Sequence, residues 1–545
     1  MTIISKIPNV TEEEQTPLIY ALVGTIHSQQ EQIHSQQEQI QLQQEQIQQL
    51  KDEIARLKGL KPKPIIKPSQ LEKPTGSDKE KDGKPQSGKR PGSEKRSKTQ
   101  ELIIHETKII QPEIIPEGSS FKGYEDYVVQ ELIIKSHNTR YRLERWETPD
   151  GGSVVGKVPQ EIAGSHFGPI LRSYILQQYY HAHVTQPLII EELREFAIDL
   201  SEGQISRILT ENKESFHTEK KEILLAGLGV SSYINVDDTS ARHKGKNGYC
   251  THIGNENFAW FESTDSKSRI NFLKLLSAGS IGYLINTDAL GYMIQEGLPK
   301  EQLVKLSELL LTGFNSDEGW EKCLKGLGMT GERHIRIATE GALYANVIEN
   351  GFNTNMVILS DDAGQFNIFF HALCWVHAER TINKLVGFSD DQRLALEQKR
   401  SQIWDYYAEL KEYKAVPDEH KKAKLQSRFD EIFTDNTCFA SLNLALKRIM
   451  KNKSELLLVL ERPEIPLHNN MSENDIREYV KKRKISGSTR SDSGRRCRDT
   501  FTSLKKTCRK LGVSFWEFLK DRLTGKKEIL FLPDLINLKA RQSGA

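Results

Sequence analysis

The stretch NMVILSDDAGQFNIFFHALCWVHAER, Asn355 to Arg380, decides how the rest of the chain is read. Its apolar opening, Met356 to Leu359, predicts a buried strand. The run breaks off at two carboxylates, Asp361 and Asp362. A carboxylate at the tip of a buried strand is costly unless a cation or a hydrogen-bond network receives it. The plainer alternative is an acidic turn, where Asp suits the loop backbone. SSYINVDDTSARHKG repeats the pattern and ends its apolar run on Asp237 and Asp238. HNNMSENDIREYVKKRK places Glu473 near the start of a predicted helix. Two strand-end aspartates and a helical glutamate can converge to hold two divalent metals. Hard oxygen ligands suit Mg²⁺ or Mn²⁺. Two such ions, about 3.5–4 Å apart, clamp the attacking and leaving oxygens of a phosphodiester.

VDDT, LSDDAGQF with the following CWVHAER, and NNMSENDIR with the following KRKISG resemble, in that order, the three acidic blocks of DDE transposases. They look most like the bacterial insertion-sequence-66 family, and the resemblance runs from about Pro159 to Leu519. It implies an α/β multidomain protein with an RNase H-like catalytic core and helical insertions. By match, the catalytic and metal-binding residues would be Asp237, Asp361 and Glu473, holding two Mg²⁺ or Mn²⁺ ions. Asp361 stands five residues before Phe366, as in the matching block of related integrases. Asp238 and Asp362 stay open as alternatives, and otherwise as supporting residues. The implied partners are DNA, both the element's terminal inverted repeats and the target, and accessory proteins of the same element. The implied reaction cleaves at the element's ends and transfers the freed 3′-hydroxyls to target DNA.

At 545 residues the chain is long for one domain, and three or four units are the prior. A hydrophobic content of 37% and a charged content of 28% describe a soluble chain with room for a sizeable core. Six cysteines, at 250, 323, 374, 438, 497 and 508, form no CxxC pair, which points to a reducing compartment and away from a Cys₄ zinc ribbon. No basic segment followed by a long apolar core opens the chain, and no run of about 18 apolar residues occurs. The expectation is a bacterial cytoplasmic protein, associated with the nucleoid, with no membrane partner.

Within the N-terminal segment 1–60, residues 26–58 carry a repeat. Ile26, Ile33, Ile40, Ile47 and Ile54 recur every seven residues, with Gln29, Gln36, Gln43, Leu50 and Leu57 at the second seam position. This predicts a coiled coil that makes the protein a homo-oligomer, weak where Gln fills the seam. Residues 61–100 hold 12 Lys/Arg against 5 Asp/Glu with almost no apolar content, and read as a disordered basic linker. Residues 101–158 turn β-like, with two or three strands in YVVQELIIKSHNTRYRLERWETPDGGSVVG and a turn at Pro149–Gly152. A small β module without metal is expected there.

Residues 159–228 read as helical, and PLIIEELREFAIDLSEGQISRILTEN as a helix-turn-helix. Ser201 can cap its second helix, turning Ile205 and Leu209 inward and Gln204 and Arg207 outward to DNA. Residues 229–380 form the first part of the core, with strands at about 231–237, 248–254 and 257–263 and a helix from Lys267 to Leu276. In HALCWVHAER, Cys374 and His377 have the spacing of half a zinc site, but no second half follows. The family resemblance makes them a buried pair supporting the active site. Residues 381–466 read as an α-helical insertion whose core is Trp404, Tyr406 and Tyr407.

Residues 467–545 carry the Glu-bearing helix and a basic C-terminal region. Asn469 and Asn470 can cap a helix on which Glu473, Arg477, Val480 or Lys481, and Lys484 share a face. From Arg477 to Lys510 the chain has 13 Lys/Arg against 3 Asp/Glu, a phosphate footprint in composition. Lys481, Lys482, Arg483, Lys484, Arg495, Arg496 and Arg498 are the expected phosphate contacts, with Arg477 supporting the active site. Two alternatives to a transposase stand beside it. One is an RNase H-like nuclease or resolvase that uses the same three carboxylates without strand transfer, the other a catalytically idle DNA-binding remnant of a mobile element.

Overall fold

The computed structural model describes residues 103–543, apart from 160, 161 and 163. The expected coiled coil at 26–58 and linker at 61–100 lie outside the described residues. The chain divides after Val129 into two units. In the first, residues 103–129 carry no helix or strand, and their side chains are exposed. The second opens with one small hairpin, β1 (Arg145–Glu147) and β2 (Ser153–Val155), in which Trp146 pairs with Val154. Gly151 supplies the positive φ its turn needs. The β module expected over 101–158 therefore shrinks to this hairpin. β-branched residues favour an extended backbone, but a strand needs a partner ladder, and the YVVQELIIK stretch has none among the described residues.

A helical segment follows: α1 (Pro169–Leu176), extended by a π-helical turn to His181, then α2 (Gln186–Glu195), α3 (Glu202–Thr210) and α4 (Glu214–Val230). Helices α2 and α3 bury Ile189, Leu193, Ile205 and Leu209.

The centre is a mixed sheet. Strands β3 (Tyr233–Ser240), β4 (Tyr249–Gly254) and β5 (Ala259–Thr264) run antiparallel, close to the expected positions, and α5 (Arg269–Leu276) follows. An excursion of β6 (Tyr283–Ile285), α6 (Thr287–Gln295), α7 (Lys300–Ser307), β7 (Thr312–Phe314), α8 (Asp317–Gly326) and α9 (Glu332–Glu349) intervenes. Strand β8 (Val357–Ser360) then joins parallel to β3, and β9 (Phe370–Leu373) parallel to β8. The sheet order is β5-β4-β3-β8-β9. The side chains of β8 are buried, as its unbroken apolar run predicts.

Helix α10 (Trp375–Asn383) leads to a helical insertion of α11 (Asp390–Ala415), α12 (Glu419–Thr434), α13 (Ala440–Lys451) and α14 (Lys453–Leu456). Tyr406 and Tyr407 are in its core, whereas Trp404 is only half-buried. The chain returns through α15 (Asn470–Ser486) and α16 (Asp492–Lys510), and closes with α17 (Phe515–Thr524) and α18 (Leu532–Ser543). No helix among the described residues is long and apolar enough to cross a membrane.

Candidate active site

Strand register brings the first two acids level. Asn235 on β3 pairs with Leu359 on β8, and Asp237 and Asp361 each lie two residues further along parallel strands. Strand β3 runs on to Ser240 against β4, so Asp237 is not the strand end that the sequence suggested. It lies instead just past the point where its parallel partner stops.

Alternation along β3 separates the first doublet. Ile234 and Val236 enter the main apolar core, while Asn235, two residues before Asp237, donates to Asn469 Oδ1 at 2.8 Å. Asp237 therefore shares the face covered by α15, and Asp238 points the other way. Asp238 has both oxygens engaged: Oδ1 accepts from Thr251 Oγ1 and Oδ2 from Gln365 Nε2, each at 2.7 Å. Lys267 Nζ lies 3.9 Å from Oδ2. Gln365 belongs to the turn that carries Asp361, so Asp238 ties that turn to β3.

The second doublet divides as well. Asp361 Oδ1 accepts from the Ala363 N–H at 3.2 Å, folding the turn back on itself. Asp362 is exposed and pairs with Arg448 of α13, whose Nε donates at 3.0 Å, while Asn452 reaches its other oxygen at 3.4 Å. As an alternative ligand or a support inside the site, Asp362 is displaced by this geometry: it docks the helical insertion.

Asn469 was expected to cap α15, but its side chain makes no cap bond. It accepts from Asn235 and donates to the Val236 carbonyl at 2.8 Å, which pins the start of α15 over β3. The Asn469 N–H donates to Cys374 Sγ at 3.2 Å, and burial pushes that thiol up to about 11. Cys374 thus joins β9 to α15 as a neutral thiol. Trp375, the next residue, donates from Nε1 to the Leu456 carbonyl at 2.9 Å and packs on Tyr406 and Phe429. It couples the insertion to the site.

One turn into α15, Glu473 is held by α10. Arg380 Nη1 donates to Oε1 at 2.9 Å and Nη2 to Oε2 at 3.4 Å. His377 Nε2 lies 3.5 Å from Oε1, and Arg477 Nη2 lies 3.8 Å from Oε2. Burial lowers the His377 pKa, against the opposing pull of Glu473.

Asp237 feels all of these acids. Burial, above all, raises its pKa to about 7, and Asp361, Asp238 and Glu473 add to the rise, against one hydrogen bond from the Asp238 N–H. A buried carboxylate among three others, with no cation of its own, calls for positive charge. The donor set is oxygen only, which fits a hard divalent cation. Among the described residues no three acids, histidines or cysteines already stand as a ready ligand set. Glu473 is turned to Arg380 instead.

The expected DNA contacts divide into three groups. Lys481 and Lys484 are exposed on the face of α15 that carries Glu473 and Arg477. Lys482, Arg483 and Arg498 serve the fold. Lys482 is buried, donates to the Tyr179 carbonyl at 2.6 Å and lies over the Tyr179 ring. Arg483 donates to Ser240 Oγ at 2.6 Å, and Arg498, also buried, to the Gly487 carbonyl at 3.0 Å. Arg495 pairs with Asp265 at 3.0 Å and Arg496 with Glu214 at 3.1 Å.

In the helix-turn-helix candidate, Ser201 caps α3 as read, but Gln204 closes the capping box, its Oε1 accepting from the Ser201 N–H at 2.8 Å. Its side chain is committed to the helix start, leaving Ser206 and Arg207 exposed.

Sequence reasoning missed Gln365, Arg380 and Trp375, and read Asn469 only as a helix cap. All four lie inside the motifs already quoted, and Arg380 follows His377 by one helical turn, the one signal that could have found it.

The family described as Transposase IS66 family matches residues 344–496, a window that holds Asp361, Cys374, His377, Arg380 and Glu473. The chain is also similar to the uncharacterized protein y4jO of Sinorhizobium fredii (strain NBRC 101917 / NGR234), at 42% identity over 303 residues, covering 55% of this chain and 94% of that relative. A mixed α/β protein with acids at two parallel strands under a helix that carries Glu473 is the class that fold and site define. The chain belongs to the IS66 transposase family.

Proposed function

We propose that the chain is a DDE transposase that cleaves DNA at the ends of its insertion sequence and joins the freed 3′-hydroxyls to target DNA. The observation that carries this reading is geometric: strand register sets Asp237 level with Asp361, and the Asn469 bonds to Asn235 and Val236 seat the start of the Glu473 helix over the same strand. The sheet order, three antiparallel strands followed by two parallel ones on the far side of the first, supports an RNase H-like core.

Asp237, Asp361 and Glu473 would hold two Mg²⁺ or Mn²⁺ ions, with Asp238 and Cys374 fixing the elements that present them. Divalent cations there would supply Lewis-acid activation of the attacking oxygen and stabilise the leaving one. The protein's own part is positioning. Register sets Asp237 against Asp361, the Asp238–Gln365 bond holds the second acid's turn, and Asn469 sets the height of Glu473. Lys481 and Lys484 continue the Glu473 face and would hold backbone phosphates, which position DNA without reading its sequence. Arg207 on α3 is the remaining candidate for base contact. A homo-oligomer through 26–58 would pair two element ends.

The test is a strand-transfer assay with a labelled element end, target DNA and Mg²⁺. Joined product supports the proposal. Cleavage without joining would favour the nuclease or resolvase alternative, and binding with neither would favour the idle remnant.

A further inference from the structure

Glu473 stands apart from the two aspartates in being already bound to a cationic side chain. Arg380 reaches both of its oxygens, at 2.9 and 3.4 Å. The carrier helix is docked onto the approach to α15 at two points. The Trp375 N–H donates to the Leu467 carbonyl at 3.0 Å, and Cys374 Sγ takes the Asn469 N–H. Arg380 is thus presented to Glu473 by rigid elements rather than by a loop.

A guanidinium spanning both oxygens occupies the lone pairs a divalent cation would take. The two ligands therefore compete for one carboxylate. The Glu473 side chain is 16% exposed and that of Arg380 40% exposed, so the guanidinium can swing into solvent while the carboxylate stays inside. We propose that Arg380 is a positioning residue that latches Glu473 away from the metal site, and that cation binding must displace it. The inference rests on Glu473 being a metal ligand, as argued above.

The test is titration of Mn²⁺ into the full-length protein, with free ion followed by its paramagnetic resonance signal. Arg380→Ala removes the competitor and should bind Mn²⁺ about threefold or more tightly than wild type, the scale of a partly exposed ion pair. Arg380→Lys, which keeps a charge there, should fall near wild type. Lys384→Ala removes an exposed charge near His377 that makes no contact with Glu473. It should change affinity by less than Arg380→Ala. Equal tightening in Lys384→Ala would assign the effect to the general field and overturn the latch. Unchanged or weaker binding in Arg380→Ala would overturn it as well. Should Arg380→Ala fail to fold by circular dichroism, Arg380→Gln carries the same expectation. Glu473→Gln separates the two levels of argument. If it binds Mn²⁺ as wild type does, the ligand assignment fails; if it binds weakly while Arg380→Ala does not tighten, only the latch fails.

Discussion

Helices α15 and α16 follow one another and are similarly rich in Lys and Arg, yet they use those charges differently. On α15 one face carries Arg477, Lys481 and Lys484 outward, with Glu473 half-buried at its start, and the opposite face buries Asp475, Ile476, Tyr479 and Lys482. Helix α16 is buried from Cys497 to Cys508 and packs on β5, where Ser503 Oγ accepts from the Phe261 N–H at 2.9 Å. Its lysines answer the acids of α15. Lys505 Nζ lies 2.5 Å from Glu478, and Lys506 and Lys510 lie 3.3 and 2.8 Å from Asp475. His183 and then Lys505 hold Glu478 well below the usual carboxylate range, and His252 with Lys510 does the same for Asp475. Charge density therefore does not by itself mark a phosphate surface. In α16 it is the counter-charge of a buried network, and in α15 only one stripe is free to meet DNA.

The largest effects should come from the half-buried Glu473 of that face and its strand partners. Glu473→Gln, Asp237→Asn and Asp361→Asn should each lower DNA cleavage by more than the roughly 100-fold typical of losing a hydrogen-bond partner of a metal ligand. Asp238→Asn should stay within that roughly 100-fold, because its oxygens serve Thr251 and Gln365. A gel assay on one labelled end reads all four, and an Asp238 variant as dead as Asp237 would exchange their roles.

Breaking the buried network should unfold rather than uncouple. Lys505→Ala leaves Glu478 buried beside His183 alone and should cost about 3–5 kcal/mol of stability in denaturant melts. A loss of DNA affinity at unchanged stability would contradict the division between the two helices.

The exposed stripe should behave in the opposite way. Lys481→Ala with Lys484→Ala should keep the melting point and weaken binding to all duplexes, flattening the salt slope by about 0.9 per lost phosphate contact. Arg495→Ala with Arg496→Ala should flatten it less, since both side chains already pair with protein acids. Equal slopes would mean that those pairs open on DNA.

The smallest effect concerns Lys482. Burial, reinforced by Arg498 and Lys505, lowers its pKa from 10.5 to about 7. Between those values the unfolded chain binds more protons, so wild-type stability should rise as pH climbs from about 7 toward 10. Lys482→Met lacks this penalty, and its advantage in melting temperature at pH 7 should shrink by pH 9. An advantage independent of pH would mean that the Lys482 pKa is not depressed in the folded protein.

Apolar runs ending on acids, and a turn-capped helix at Ser201, were legible because they depend on local alternation and side chain-to-backbone bonds. The strands of the core and its first helix follow from them. The β module was not legible, because alternation supplies propensity without a pairing partner. Gln204 was misassigned for a related reason: a capping box and an outward polar residue look alike until the side chain is placed.

What the sequence by itself determined are the identities and order of the acids, the periodicity that builds each element, and the resemblance of three motifs to the family of transposases. The tertiary structure alone decided which acid of each doublet faces the helix that carries Glu473. On β3 this follows from which face α15 covers, and in the turn after β8 from the reach of Arg448. It also decided which cations are free, since a lysine's role depends on whether an acid from another element lies within about 4 Å, where Coulomb attraction in a protein interior outweighs exposure to water. Those distances are set by how whole elements pack, from 27 positions apart for Lys505 and Glu478 to 282 for Arg496 and Glu214, and no local pattern in the chain encodes them.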